Sequence, residues 1–141
     1  MNFKKSDEFI PFSPPWIGKD EEDEVLDSLR SGWITTGPKV KEFERRVAEY
    51  VNVKHAAAMY SCTDAMLLAL KVLGVDKGDE IITTTFTFAS TGHVICHHGA
   101  KPVFVDVDPE TFNINPELIE EKITPKTKGI IPVHYGGQSC D

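Results

Sequence analysis

Apolar positions along the chain follow two rhythms that take turns. Val25, Leu26 and Leu29 fall on one side of an acidic stretch, and their spacing predicts a helix from Asp20 to about Ser31 with those three inward and Gly32 as its stop. Carboxylates crowd its first turn, where the helix dipole favours them. Val40, Phe43, Val47 and Tyr50 recur at helical spacing and predict a second amphipathic helix over 39–51. The small apolar run His55-Ala56-Ala57-Ala58-Met59 predicts a buried strand, and Met66, Leu67, Leu70 and Leu73 then predict a helix with one buried face. Ile81 to Thr85 is a β-branched strand, followed by a helix through His98 and a short strand over 101–109 that ends on acidic residues. Asn115 and Pro116 open a predicted helix ending near Ile123, with asparagine as N-cap and proline in the first helical position. Residues 129–137 close the chain as strand and loop.

Strands that alternate with helices and read as nearly continuous apolar runs indicate an α/β protein with a mainly parallel sheet and helices on both faces. Three prolines among residues 11–15 exclude a helix there, so residues 1–19 are expected as an extended arm that lays Phe12 and Trp16 on a neighbouring surface, such as another subunit. Residues 20–141 form the domain proper. The strand at 129–133 has no helix after it to cover one face, and the chain is expected to be cut short there.

Composition narrows the possible functions. With 141 residues, 40% hydrophobic and 26% charged, the chain reads as one soluble globular domain. A net charge of −7 without a Lys/Arg run argues against a nucleic-acid partner. No apolar run approaches the roughly 20 residues of a membrane span, and the N-terminus lacks a signal-peptide core. Cys62, Cys96 and Cys140 are an odd count at wide spacing, which fits no disulfide framework and indicates a reducing cytoplasm.

Ligands of open α/β sheets bind beyond the carboxyl ends of the strands, and three such ends carry polar or aromatic residues. At Ser61-Cys62-Thr63-Asp64 a helix N-terminus with hydroxyls can cradle an anion, phosphate being the usual occupant; Ser61 with Asp64 equally reads as a capping box. Phe86 and Phe88 lie on one side of a strand exit, either as core rings or as a platform for a flat heterocycle. His134 leaves the sheet beside two glycines, as a structural or a chemical histidine. His93 and His97 share a helix face at a spacing that can hold zinc. No second ligand cluster lies near them or Cys96 and His98, so no metal site is expected.

These stretches carry a resemblance. The chain resembles the N-terminal part of the DegT/DnrJ/StrS-type sugar aminotransferases, of the aspartate-aminotransferase-like pyridoxal-phosphate fold. The motifs run in the family's order through nearly the whole chain: Pro11-Phe12-Ser13-Pro14-Pro15, Ser31 to Pro38, Thr63-Asp64-Ala65-Met66, Gly78 to Thr83, Phe104 to Asp108, Ile123 to Lys128, and Pro132 to Gly137. The resemblance implies part of the large domain of a fold type I enzyme, typically homodimeric with its active site at the subunit interface. Ser61, Cys62 and Thr63 match the turn that holds the cofactor phosphate; cysteine replaces the commoner glycine or alanine, tolerable where the backbone N–H does the binding. Phe88 matches the ring that stacks on the pyridine. Thr35 and Gly37 match the loop lining the sugar-nucleotide site, and His134 is expected on the substrate side.

The implied activity moves an amino group from an amino acid, usually glutamate, through pyridoxal 5'-phosphate to a keto nucleotide-sugar, for cell-surface polysaccharide or lipopolysaccharide synthesis. Such chemistry needs a lysine bonded to the cofactor and a carboxylate on its ring nitrogen. The family carries both on segments beyond Asp141, and none of Lys101, Lys122, Lys126 or Lys128 has a matching setting. The 141 residues are therefore expected to hold part of a cofactor site, no catalytic residue, weak or no cofactor binding and no activity alone. Two alternatives remain open in the sequence: a sugar dehydratase of the same family, with histidine in place of the lysine, and a non-catalytic binding or dimerisation module.

Overall fold

The computed structural model describes residues 8, 9, 11 and 13–141. The chain divides into two compact units, Met1–Ala58 and Met59–Asp141. Of the arm residues singled out above, Phe12 lies outside the described residues, and Trp16 is 91% exposed in a segment with no helix or strand.

In the first unit, α1 (Lys19–Ser31) and α2 (Pro38–Tyr50) match the two predicted helices. The Glu21 carboxylate accepts the Gly18 N–H at 2.7 Å, satisfying one orphan donor at the start of α1. Gly32, at φ 72°, ends α1 by returning its N–H to the Leu29 carbonyl. Pro38 opens α2, where its missing N–H costs nothing. Lys39 reaches back across the turn to the Glu24 carbonyl at 2.8 Å and the Asp27 carboxylate at 3.0 Å.

The inward stripe expected for α1 is not buried. No residue of α1 is buried, and Val25 and Leu29 are 59% and 61% exposed, while α2 buries only Ala48. Two helices joined by a short loop enclose too little volume to cover both apolar stripes, which need another layer.

The second unit is a three-stranded parallel sheet of order β2-β1-β3, from β1 (Glu80–Thr84), β2 (Lys101–Val105) and β3 (Thr127–Ile131). All five residues of the central strand β1 are buried. Its alternation splits two cores. Ile81 packs with Leu70, Val75, Val94, Ile95 and Ala100 beneath α3 (Cys62–Val72) and α4 (Ser90–His97). Ile82 packs on the other face with Val105 and Ile114, flanked by Leu118, Ile119 and Cys140. Each isoleucine so buried stabilises the fold by roughly 1.5–3 kcal/mol.

Two further expectations change form. The apolar run 55–59 is not a strand: among the described residues it has no ladder partner, and the Ala58 N–H donates to the Glu44 carboxylate at 2.9 Å instead of to a strand carbonyl. The helix expected after Asn115 is two short 3₁₀ turns, Pro116–Leu118 and Glu120–Lys122, which cover the second face in place of an α-helix. Asn115 does cap the first turn, accepting the Glu117 N–H at 2.9 Å.

Candidate functional site

The sheet puts three loops at one edge. In a parallel sheet every strand ends on the same side, so segments 85–89, 106–115 and 132–141 all leave the carboxyl edge. They meet in an aromatic cluster: the Phe86 ring lies 5.5 Å from Phe112 and 4.9 Å from Tyr135, and those two are 5.7 Å apart. Tilted rings at these separations attract one another as well as burying surface.

Phe86 and Phe88 part company here. Phe86 joins the cluster, whereas Phe88 is 80% exposed and free to meet a ligand. Phe88 lines a cleft of about 240 Å³ with Thr85, Phe86, Thr87, Val133 and Tyr135. That cleft brings the predicted stacking ring beside the segment that carries His134. Ser61, Cys62 and Thr63 do not line it.

At the start of α3 the polar knot is a helix cap. Ser61 is the N-cap: its hydroxyl accepts the Asp64 N–H at 3.2 Å and donates to the Asp64 carboxylate. The neighbouring Asp64 carboxylate raises the Tyr60 hydroxyl pKa above its usual value by hydrogen bonding to it. Capping consumes Ser61 and leaves the next two residues open. Cys62 and Thr63 are exposed, and among the described residues their N–H groups and the Thr63 hydroxyl have no protein partner. These two amides stand at the positive end of an eleven-residue helix, the kind of position that attracts anions.

His134 is exposed and accepts the Cys140 N–H on Nδ1 at 3.1 Å. Sequence reading missed the residue that organises its loop. Asn113, 4% exposed, donates from Nδ2 to the Gln138 and Ser139 carbonyls, both at 3.1 Å, and accepts the Tyr135 N–H on Oδ1 at 2.9 Å. Only the long-range fold reveals those partners; locally, Asn113 is one more turn residue. Asp108 builds the turn before it, accepting the Thr111 and Glu110 N–H groups at 2.9 Å, and these donors hold its carboxyl below the usual carboxylate range.

The first unit holds the other predicted residues. Thr35 and Gly37 line a cleft of about 380 Å³ with Ser28, Ser31, Trp33 and Ile34. The Trp33 indole N–H donates to the Thr36 carbonyl at 2.9 Å, folding the loop over Gly37, which is buried.

His93, Cys96 and His97 are exposed, and the His98 ring meets the Leu67 carbonyl through Nε2 at 3.0 Å. Among the described residues no group of three His, Cys, Asp or Glu side chains is placed to hold a metal ion, and no helix is long and apolar enough to cross a membrane.

Comparison with known proteins adds a consistent set of likenesses. The family profile described as the DegT/DnrJ/EryC1/StrS aminotransferase family matches residues 15–141. The spore coat polysaccharide biosynthesis protein SpsC of Bacillus subtilis (strain 168) is 52% identical over 138 residues, 98% of this chain and 36% of SpsC. Spr1654 of Streptococcus pneumoniae, described as a sugar aminotransferase and solved in apo, PLP and PMP forms, superposes in its PLP form with a TM-score of 0.86 at 50% identity, covering 94% of this chain and 34% of that one. 3-Amino-5-hydroxybenzoic acid synthase superposes with a TM-score of 0.83 at 38% identity, over 97% of this chain and 36% of the synthase. The chain thus spans about a third of the length of the relatives it matches.

Proposed function

The chain belongs to the DegT/DnrJ/EryC1/StrS aminotransferase family and carries part of the large domain of the PLP-dependent fold type I, and from that premise we propose that it is the cofactor-phosphate and stacking portion of a sugar aminotransferase. In this reading the whole protein takes an amino group from an amino acid, glutamate foremost, and delivers it to a keto nucleotide-sugar for polysaccharide assembly. It works as a cytoplasmic homodimer.

One observation carries the reading. A single unit holds a helix N-terminus with two unpartnered amides and the Thr63 hydroxyl, together with an exposed ring, Phe88, at the exit of the buried central strand. A phosphorylated pyridine asks for those two features. The Cys62 and Thr63 N–H groups and the Thr63 hydroxyl would take the phosphate, and Phe88 would cover one face of the ring. When bound, pyridoxal phosphate supplies the electron sink through which an amino group moves from donor to acceptor. Asp64 gives its N–H to the Ser61 hydroxyl and accepts a hydrogen bond from that hydroxyl on its carboxylate, so the capping pair is Ser61 and Asp64 and the two preceding amides are not used in it.

No lysine occurs in segments 85–89, 106–115 or 132–141, so the carboxyl edge of this chain offers no amine to the cofactor carbonyl. The 141 residues by themselves are accordingly expected to be inactive. Thr35 and Gly37, in the first unit, are assigned to the sugar-nucleotide side.

The test is direct. The whole protein should bind pyridoxal phosphate, change its visible absorbance when L-glutamate is added, and then aminate a keto nucleotide-sugar, followed by mass spectrometry. A cofactor-loaded protein that removes water from the sugar without gaining nitrogen would replace the transferase by a dehydratase.

A further inference from the structure

We infer that Asn113 is a positioning residue that pins segment 134–141 and thereby sets the tautomer of the neutral His134 ring, with the proton on Nε2 as a hydrogen-bond donor for a ligand oxygen at the carboxyl edge. The substrate side of this inference rests on the function proposed above; the protonation state does not.

The geometry leaves little freedom. An asparagine amide has two N–H donors and one carbonyl oxygen able to accept two bonds. Both donors of Asn113 are used on the consecutive carbonyls of Gln138 and Ser139, and the oxygen takes the Tyr135 N–H. Turning the amide over would set its oxygen against two carbonyls and its NH₂ against an N–H, so the three partners fix its orientation. Asn113 is itself anchored, with its carbonyl accepting the Asp108 N–H at 2.9 Å and its own N–H donating to Thr111 Oγ1 at 3.3 Å. Phe112 beside it holds φ at 58°, a conformation that a non-glycine residue keeps only when its surroundings impose it.

Inside the pinned segment, the Cys140 N–H points at His134 Nδ1 at 3.1 Å, and the Cys140 thiol donates to the Val133 carbonyl at 3.3 Å. A backbone N–H can only donate. Nδ1 must therefore present a lone pair, and the single proton of the neutral ring sits on Nε2. Among the described residues Nε2 has no protein partner, so the proton it carries is available to an acceptor oxygen, such as a hydroxyl or phosphate oxygen of a nucleotide-sugar. The ring acts there as donor, and its one basic nitrogen is already engaged.

The experiment reads the ring directly, in the whole protein labelled with ¹⁵N-histidine, at about pH 8 where an ordinary histidine is neutral. Two-bond ¹H–¹⁵N correlations distinguish the two ring nitrogens, and His134→Gln identifies the His134 signal. The expected result is a neutral ring protonated on Nε2. A ring protonated on Nδ1, or an even mixture, overturns the inference. Asn113→Ala should shift His134 toward a mixture; Asn113→Asp, which keeps an acceptor for Tyr135 and loses both donors, serves if the alanine variant does not fold. A folded variant with an unchanged His134 signal would remove Asn113 from the positioning role. In the amino-transfer assay, His134→Ala should raise KM about two- to tenfold, the worth of one hydrogen bond. His134→Gln, which keeps a donor amide, should recover most of that loss; a glutamine variant as impaired as alanine overturns the donor role. If the function proposed above fails, the absorbance test fails with it and the ring measurement still stands.

Discussion

The Trp33 indole lies so close over Gly37 that a Cβ built at residue 37 would stand 2.1 Å from Trp33 Nε1. Gly37 has an extended backbone, at φ −163°, which any residue adopts, so its smallness and not its conformational freedom is what the site requires. Gly37→Ala should push the indole off its hydrogen bond to the Thr36 carbonyl and reshape the cleft beside Thr35. Since Trp33 is half exposed and able to swing outward, the cost is expected at the low end of the roughly 1–3 kcal/mol typical of overpacking. Trp33 emission, recorded in a Trp16→Phe background, should move to longer wavelength. Unchanged emission would mean the indole does not depend on Gly37.

Ser61 and Thr63 are two residues apart and should fail differently. Ser61→Ala removes the N-cap of α3 and should cost about 0.5–2 kcal/mol in denaturant unfolding. Thr63→Val replaces an exposed hydroxyl that has no partner among the described residues, so stability should stay within about 0.5 kcal/mol while pyridoxal phosphate affinity of the whole protein drops. A cofactor titration in which Thr63→Val binds as tightly as wild type would take the phosphate away from this helix.

A second contrast lies on β1 and its exit. Ile82 is fully buried, and Ile82→Ala should destabilise by about 2–5 kcal/mol. Phe88→Ala, despite removing a larger side chain, should change the unfolding midpoint little, because Phe88 already faces solvent. Its effect should instead appear as weaker cofactor binding. Strong destabilisation by Phe88→Ala would return that ring to the core.

Glu80 makes stability pH-dependent from the opposite edge of the sheet. Its carboxylate accepts the Thr124 hydroxyl at 2.7 Å and the Lys101 ammonium at 3.2 Å, and these partners, Thr124 first, hold its pKa below the ordinary glutamate value of 4.5. A carboxylate depressed in the folded state binds its proton more readily when unfolded, so it stabilises the fold above about pH 4.5 and loses that contribution as the pH falls through its folded value. Urea midpoints measured from pH 7 down to pH 3 should fall in this range, and Glu80→Gln should flatten part of the fall. An equally steep profile in Glu80→Gln would assign the acid sensitivity elsewhere.

Local pattern by itself determined much of this protein. The spacing of Val40, Phe43 and Val47, the β-branched run before Thr85, the prolines and glycines at helix ends, and the cap at Ser61 are short-range signals, and the helices and strands follow them. Family motifs carried in the same stretches were legible for the same reason. The tertiary structure decided which apolar runs found a partner. His55 to Met59 reads like a strand, yet a strand needs a partner for its ladder, and the Ala58 N–H goes to the Glu44 carboxylate instead. Val25 and Leu29 read as inward, yet burial is conferred by a facing layer, and nothing in the spacing of a helix says whether that layer is present. The separation of Phe86 from Phe88, and the grip of Asn113 on residues more than twenty positions away, are likewise long-range facts. Such contacts depend on where three loops converge at the end of a parallel sheet, and no single stretch of sequence contains that convergence.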